Sequence, residues 1–372
     1  MQKERLYYLD WLRIGAFALL IIFHCTRFFD FFPWHVKNRE QSEFVTQVFL
    51  FTTSWRMPLI FFVSGAGTYF AMRSKREHFL TGRVKRLLVP YAFGILLLIP
   101  PQKYYEYLYY NEEAITFFEF LSVYPSQIAN AQNGFNLTWF GLLGYHIWYL
   151  PYLFVQTLLL IPIFKWMGRT EKALSPRFNL WLLFIPVVTV NVLLRPLFPD
   201  YLNWADFFHF LLFFWMGYWF VKNQKILIGK VLRSTKAMGV LAIGTSLVQL
   251  YFALFTQYMI KWVDRPDFSA DYLAFVAVRH INAMSWVIFL LGLSIRYLNF
   301  NRSVLPKLND SVLPVYVLHQ TFIIVLGFFV VTWDIGMLPK FLIILILSSI
   351  AMYLTYMVIK RIRVLRFLFG MR

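Results

Sequence analysis

Long apolar runs recur along the whole sequence, and they restrict this chain to a membrane-spanning helical fold. A helix needs roughly 20 mostly apolar residues to cross the hydrocarbon core of a bilayer. About ten segments meet that requirement: 11–29, 44–72, 87–100, 143–167, 180–198, 205–221, 237–260, 272–295, 312–333 and 341–359. Backbone groups in lipid must be satisfied within the segment, which favours helices. The sequence therefore predicts an all-α polytopic integral membrane protein.

Composition agrees with that fold class over the full length. Of 372 residues, 59% are hydrophobic and 15% are charged, whereas a soluble domain is nearer half apolar and a quarter charged. We expect residues 1–372 to form a single transmembrane domain with no appended soluble domain. The only cysteine, Cys25, excludes an internal disulfide framework and a cysteine-based zinc site, and no metal is expected.

The distribution of positive charge predicts the orientation in the membrane. A net charge of +18 would suit nucleic acid in a soluble protein, but in a membrane protein it indicates basic cytoplasmic loops. Five basic segments, 73–86, 165–177, 221–236, 296–307 and 360–372, all fall on one side if the N-terminus is cytoplasmic. Both termini are then cytoplasmic, no nucleic-acid partner is expected, and the stretch 101–142 is predicted to be an extracytoplasmic loop. The third span is short and an extension to residue 105 is left open. The aromatic residues and carboxylates of 101–142 suit either carbohydrate stacking or a helix at the membrane interface.

The first span carries ionisable residues where lipid would penalise them. Arg13 and His24 are eleven residues apart, which is about three helical turns plus roughly 20°, or about 16 Å along the axis. Asp10 falls within roughly 60° of both, so the three share a stripe. Such a stripe should face the bundle interior or a watery cavity. It indicates either a functional site or a packing stripe with a local Asp10–Arg13 ion pair.

Several segments resemble the acyltransferase 3 family of membrane acyltransferases. The family's first signature is a basic residue, ten other residues and a histidine. In the opening YYLDWLRIGAFALLIIFHCTRFF, Arg13 and His24 match that signature. The Arg-x-x-Arg pattern at the entry of the third span is met by Arg83 and Arg86. MPLIFFVSGAGTYF, YHIWYLPYLF and LNDSVLPVYVLHQTFI are similar to further family segments in the same order. Within the family the chain most resembles the glucan biosynthesis protein C branch, including the ending RIRVLRFLFG.

The resemblance implies an O-acyltransferase that moves an acyl group from cytoplasmic acyl-CoA to a hydroxyl of an extracytoplasmic glycan. His24 would then act as general base or as a transient acyl carrier, and the residues do not decide between them. Arg13 and Asp10 could orient His24 or line the path from the cytoplasm. The acyl group is acetyl or succinyl, and the location implied is a bacterial cytoplasmic (inner) membrane.

The basic pair Arg83 and Arg86 has two interpretations. At i and i+3 of a helix both share a face, and guanidinium forks suit the phosphates of coenzyme A. Positive charge at the cytoplasmic surface also binds anionic lipid head groups. The resemblance favours acyl-CoA. It also implies that Ser64 could donate a hydrogen bond to the thioester oxygen, although a small residue there also lets helices pack closely.

Three further residues are candidates for the substrate path. His146 and Trp148 stand at the outer end of the fourth predicted span, and His319 lies about eight residues into the ninth. Each could contact the acceptor or simply be a structural residue, and the family pattern favours a functional role for His319.

A non-catalytic transporter or flippase of a glycan or lipid-linked substrate is the main alternative function. Secondary transporters usually show repeated halves, and the histidine-bearing stripe does not recur. A scaffold that uses the aromatic loop as a binding surface is a second alternative. The expected partners are membrane lipids, acyl-CoA and a carbohydrate acceptor, while homo-oligomer formation is left open.

Overall fold

Helices make up the regular structure of the residues that the computed structural model describes, namely 5–74, 78–111, 115–130, 139–170, 174–255 and 268–371. Within them we number α1 (Tyr7–Thr26), α2 (Glu43–Thr53), α3 (Arg56–Ser74), α4 (Phe79–Arg83), α5 (Val89–Leu97), α6 (Ile99–Tyr110), α7 (Phe117–Asn130), α8 (Trp139–Gly144), α9 (Tyr149–Arg169), α10 (Phe184–Leu194), α11 (Trp204–Lys222), α12 (Gln224–Phe255), α13 (Ala270–Tyr297), α14 (Leu305–Val330), α15 (Met337–Ile359) and α16 (Arg363–Leu368). A π-helical turn, Val84–Leu88, joins α4 to α5, and 3-10 turns precede α9 and α10.

Helices long and apolar enough to cross a membrane confirm the predicted fold class. The described residues contain eight of them: Tyr7–Thr26, Glu43–Ser74, Phe79–Tyr110, Tyr145–Arg169, Gln224–Phe255, Ala270–Tyr297, Leu305–Val330 and Met337–Ile359. Each overlaps a predicted span, although the last residues of 237–260 lie outside the described part.

The two remaining predicted spans are also helical. Leu180–Leu194 is a shorter apolar helix. Helix α11 contains Asp206, His209 and several tryptophans, which lower its hydropathy. The count of ten spans and the orientation of the termini stay predictions.

The stretch 101–142 is largely helical where the structure describes it. Helix α6 continues the third span to Tyr110, because Pro100 lies in its first turn, where a proline removes no intrahelical hydrogen bond. Helix α7 begins with a capping box, in which Thr116 Oγ1 accepts from the Glu119 backbone N–H and the Glu119 carboxylate accepts from the Thr116 N–H. The third span therefore continues beyond the extension to residue 105 that the sequence left open, and 117–130 form a helix, which was one interpretation of this stretch. Residues 131–138 lie outside the described part, and the extracytoplasmic location and the position at the membrane interface stay predictions.

Two compact units make up the fold, and they cut across the chain order. The first comprises Met1–Ala16, Leu50–Phe79 and Val155–Leu305, and the second Phe17–Phe49, Leu80–Phe154 and Pro306–Arg372. In the first unit α3 packs on α11 and α12 on α13. The second has a core of Cys25, Phe28, Phe29, Val36, Ile323, Ile324, Val330, Val331 and Ile344. Cys25 is a buried free thiol, as the sequence predicted.

Two glycines allow α3 and α11 to touch in the first unit. A Cβ on Gly65 would overlap the Phe214 carbonyl oxygen, and one on Gly217 would overlap the Phe62 carbonyl oxygen. Close approach of this kind is what small residues provide between membrane helices. The Ser-Gly pair of the third helix therefore has a packing role at its glycine.

Gly65→Ala should lower the thermal unfolding midpoint of the purified full-length protein. Overpacking costs about 1–3 kcal/mol, and here the obstructing atoms are backbone, which cannot rotate away. Gly67→Ala is the matched control, since a Cβ there meets nothing within 4 Å and alanine favours the helix. Size-exclusion chromatography after heating measures both variants. Equal midpoints for the two would show that the close approach is not needed.

Candidate active site

His24 lies in the last turn of α1, half-buried in the second unit. Its Nδ1 is 2.8 Å from the Leu20 carbonyl oxygen, one helical turn earlier. A carbonyl oxygen can only accept a hydrogen bond, so Nδ1 carries the proton of the neutral ring. The lone pair of the neutral His24 ring is therefore on Nε2, which is the nitrogen that can accept a proton from a substrate.

His319 contacts His24 directly. Its Nε2 lies 3.3 Å from His24 Nδ1, and the ring centroids are 4.8 Å apart. His319 Nδ1 is 2.5 Å from the Tyr316 carbonyl oxygen, so Nδ1 is the donor and Nε2 the acceptor of this ring. The Nδ1–H of His24 is thus shared between the Leu20 carbonyl and His319. The structure brings together two residues that the sequence placed 295 positions apart.

His146 extends the same row of rings. Its centroid lies 4.9 Å from that of His319, and its Nε2 donates to the Val317 carbonyl oxygen at 3.0 Å. Gln102 Nε2 approaches His146 Nδ1 at 3.4 Å. Among the described residues, no group of His, Cys, Asp and Glu side chains could hold a metal ion, so we interpret the row as a hydrogen-bonding arrangement.

Trp148, which the sequence predicted to line a substrate path, is a buried side chain. It is 6% exposed and its ring packs edge-on against Tyr152 at 5.1 Å. Such contacts are those of a core residue. The path-lining role of Trp148 stays a prediction without geometric support.

A polar layer around His319 was not found from the sequence. The next two residues of α14 are also engaged: Gln320 Nε2 donates to His35 Nε2 at 2.9 Å, and Thr321 Oγ1 accepts from Gln102 Nε2 at 2.7 Å. Consecutive helical residues point about 100° apart, so the triplet reaches three different elements. The spacing of residues along one helix does not predict contacts of this kind, because they join separate elements.

His35 is the further histidine of this layer, in the loop between α1 and α2. Its Nδ1 donates to Glu106 Oε2, and Lys103 Nζ donates to Glu106 Oε1 at 2.6 Å. Lys103 also lies 4.7 Å from the centroid of the Tyr145 ring, and the His35 ring lies 5.3 Å from that ring. The i, i+3 spacing of Lys103 and Glu106 was a usable signal, but the predicted span ended at Pro100 and its open extension stopped at residue 105, before Glu106.

A buried ion cluster fixes the loop that presents His35. Asp30 accepts from Arg27 Nη1 at 2.5 Å and from Lys37 Nζ at 3.0 Å, and the three side chains are 0%, 8% and 9% exposed. Lys37 also donates to the Arg27 carbonyl oxygen at 2.7 Å. Burial lowers the pKa of Arg27 and of Lys37, and the Asp30 carboxylate opposes both shifts.

Asp10, Arg13 and Ser64 belong to the first unit. Asp10 accepts from Arg5 Nε at 2.8 Å, in the residues that precede α1, and the local pair of Asp10 with Arg13 stays a prediction. Ser64 Oγ donates to the Ile60 carbonyl oxygen of its own helix at 2.8 Å, which supports the packing interpretation. Roles for these residues in catalysis or acyl-CoA binding stay predictions.

Arg83 and Arg86 are half-buried at the start of the third span, in the second unit. Arg83 is the last residue of α4 and Arg86 lies in the π-helical turn Val84–Leu88, so the pair does not lie on one continuous α-helix as the sequence predicted. Turns of this type occur often at functional sites.

The C-terminal segment packs beside this basic pair. Phe369 and Phe93 have ring centroids 5.1 Å apart. Gly370 has a φ of +65°, and a Cβ on it would lie 2.9 Å from the Arg86 carbonyl oxygen. Glycine is therefore required for the chain end to lie against α5, which accounts for the RFLFG ending.

A second pair of imidazoles lies in the first unit. The His209 and His280 centroids are 4.6 Å apart. His280 Nδ1 donates to the Val276 carbonyl oxygen at 2.7 Å, and His209 Nδ1 accepts from Asn191 Nδ2 at 2.9 Å. Each ring of this pair therefore has a hydrogen-bond partner within the protein, as most buried polar groups do.

Comparison with known proteins identifies what the chain is similar to. The family model Acyl_transf_3, described as an acyltransferase domain, matches residues 6–357. Proteins called "Glucans biosynthesis protein C" from Salmonella typhi and Salmonella paratyphi B are each 29% identical over 174 residues, which is 46% of this chain and 42% of the relative. The alignment thus spans less than half of those relatives. No solved structure matches the chain.

Asp30→Asn should destabilise the protein by about 3–5 kcal/mol, because it leaves two buried cations without their counter-charge. Asp10→Asn is the matched control, since its pair with Arg5 is exposed and worth about 0–1 kcal/mol. Thermal unfolding of the full-length protein in detergent gives both values. A midpoint for Asp30→Asn close to that of the control would contradict the importance of this ion cluster.

Proposed function

The chain belongs to the acyltransferase 3 family of membrane acyltransferases, and from this premise we propose that it moves an acyl group from cytoplasmic acyl-CoA to a hydroxyl of an extracytoplasmic glycan. A glucan is the acceptor suggested by the names of the relatives. Acetyl and succinyl are the two candidate acyl groups. The proposed location is the cytoplasmic membrane of a bacterium.

In the proposed reaction His24 is the general base. The acceptor hydroxyl gives its proton to His24 Nε2 as its oxygen attacks the thioester carbonyl carbon. The carbon–sulfur bond then breaks, and the protonated ring returns the proton to the leaving thiolate, so that ester and free thiol are formed without net proton change. A sugar hydroxyl is a poor nucleophile near neutral pH, and imidazole is suited to this transfer.

One observation carries this assignment: the contact between His24 Nδ1 and His319 Nε2, together with the Leu20 carbonyl. The Leu20 carbonyl oxygen and His319 Nε2 both accept from Nδ1, so the proton of the neutral His24 ring stays on Nδ1 and Nε2 is the basic atom. When Nε2 takes a proton, the ring becomes a cation whose Nδ1–H bonds are strengthened. The geometry therefore supports the protonated intermediate state that a general base requires.

A covalent route uses the same nitrogen. His24 Nε2 would attack the thioester carbonyl carbon, expel the thiolate and carry the acyl group. The hydroxyl oxygen would then attack the same carbon and the carbon–nitrogen bond would break. The hydroxyl proton would pass to the thiolate, so that ester and free thiol are again the products. Mass spectrometry of protein quenched in acid after incubation with acyl-CoA alone distinguishes the two routes. An acyl adduct on the peptide that contains His24 favours the carrier, and its absence at full activity favours direct transfer.

Arg83 and Arg86 are proposed to bind the phosphates of acyl-CoA. Both lie in a basic segment with Lys85, next to the docked C-terminal residues. Guanidinium groups bind phosphate oxygens bidentately, and a basic cluster concentrates an anionic donor.

His24→Ala should abolish acyl transfer from radiolabelled acetyl-CoA or succinyl-CoA to a glucan oligosaccharide. Loss of a general base lowers the rate by about 10²–10⁴-fold. His78→Ala is the control, since His78 is exposed and should retain full activity. Full transfer by His24→Ala would refute the assignment, and failure of the wild-type protein to bind or use acyl-CoA would favour the transporter alternative.

Arg86→Gln should raise the KM for acyl-CoA by about tenfold or more, the worth of a charge-assisted hydrogen bond. The exposed Arg302→Gln keeps the same change of charge and should leave KM unchanged. Steady-state kinetics in nanodiscs of neutral lipid measure both. If Arg86→Gln alters only the response to anionic lipid, the arginine pair binds head groups instead.

A further inference from the structure

A cluster of polar and aromatic side chains forms the more exposed edge of the histidine layer. His319 is fully buried, whereas the side chains of His35, Lys103 and Glu106 are 10%, 19% and 24% exposed. Gln320, the residue after His319, bonds His35, and His35 bonds Glu106, so exposure increases from the His319 ring to this cluster. A molecule entering from that edge meets Lys103 and Glu106 first.

The Lys103–Glu106 pair keeps unused hydrogen-bonding capacity. Among the described residues, each Glu106 oxygen takes one hydrogen bond and Lys103 Nζ gives one. A carboxylate has about four acceptor sites and an ammonium three donors. Both groups can thus bind hydroxyl groups while they keep their present partners.

Tyr124 adds a hydroxyl that the fold leaves unsatisfied. It is 7% exposed, and its hydroxyl has no hydrogen-bond partner among the described residues. Burial raises the pKa of this phenol, and the charges of the nearby Tyr145 and Glu106 add to the shift. Buried polar groups are nearly always paired, so a missing partner next to the cluster points to a ligand.

Tyr145 is held in a strained conformation that places its ring in the cluster. Its φ is +44°, which is uncommon for a residue with a side chain. Strain of this kind persists where the surroundings impose it and is concentrated at functional sites. The ring contacts Lys103 and His35, and the next residue, His146, contacts His319.

We propose that Glu106, Lys103, Tyr124 and Tyr145 form the subsite that binds hydroxyl groups of the acceptor, an inference that rests on the proposed acyl transfer. A carboxylate, an ammonium, a phenol and aromatic rings together match a polyhydroxyl ligand. The lysine and glutamate charges balance, which favours a neutral sugar unit over a phosphate or an amine. Through Gln320, which bonds His35 and adjoins His319, the subsite connects to the histidine pair.

Tyr124→Phe tests the proposal, because its two effects separate binding from structure. Removing a buried hydroxyl without a partner should not destabilise the fold and should raise the thermal midpoint. The KM for the acceptor should nevertheless rise about three- to tenfold, the worth of one hydrogen bond, with an unchanged KM for acyl-CoA. The probes are linear glucose hexasaccharides that differ in linkage, assayed with the full-length protein in nanodiscs.

Two controls are matched to these changes. Tyr8 is 1% exposed and its hydroxyl also lacks a partner among the described residues, so Tyr8→Phe should raise the midpoint without changing either KM. Glu106→Gln should raise the acceptor KM about tenfold or more by loss of the charge, whereas Glu119→Gln, at the exposed cap of α7, should not.

The outcomes separate this inference from the proposed function. A wild-type protein that transfers no acyl group to any hexasaccharide contradicts the proposed function. A wild-type protein that is active, with Tyr124→Phe and Glu106→Gln variants that keep the wild-type acceptor KM, contradicts the subsite alone. A rise in the acceptor KM for Tyr8→Phe equal to that for Tyr124→Phe would also contradict it.

Discussion

A ring N–H that is buried away from water can donate only to a protein group. This constraint determines the tautomers of three histidines in the second unit. His24, His319 and His146 each donate to a backbone carbonyl oxygen, of Leu20, Tyr316 and Val317 respectively. A carbonyl cannot donate, so each bond fixes one tautomer. In this unit the helix backbone therefore determines which nitrogen of each ring is basic, before any substrate is bound.

Three consecutive polar residues of α14 connect the histidine rings to the surrounding elements. His319, Gln320 and Thr321 point in different directions because consecutive helical residues differ by about 100°. His319 contacts the first helix, Gln320 contacts the loop that follows it, and Thr321 contacts α6 through Gln102. The loop in turn is held by the buried Asp30 cluster. A displacement of α14 would thus alter all three contacts together, which makes this helix the common support of the site.

The sequence was sufficient for the fold class and for the first catalytic candidate. Apolar runs predict spans because hydrocarbon leaves few alternatives to a helix, and His24 was conspicuous because an ionisable ring in such a run is costly. His319 and His146 followed from the family resemblance. Their contact with each other did not, because it joins separate helices. Glu106 and Lys103 were missed for a different reason. The third span was predicted to end at Pro100, with an extension only to residue 105 left open, whereas Pro100 in the first turn of α6 is compatible with a helix that continues to Tyr110.

The choice of a second histidine as the partner of His24 fits the proposed chemistry. A carboxylate beside the ring would stabilise the imidazolium strongly and raise the pKa of the base. The proton would then be held when it has to pass to the departing thiolate. A neutral imidazole accepts the Nδ1–H and orients the ring without placing a negative charge beside it, so the proton on Nε2 can pass on to the thiolate. The carboxylate of this site, Glu106, is bonded instead to His35. In the proposed subsite Glu106 orients a hydroxyl group of the ligand and does not have to return a proton.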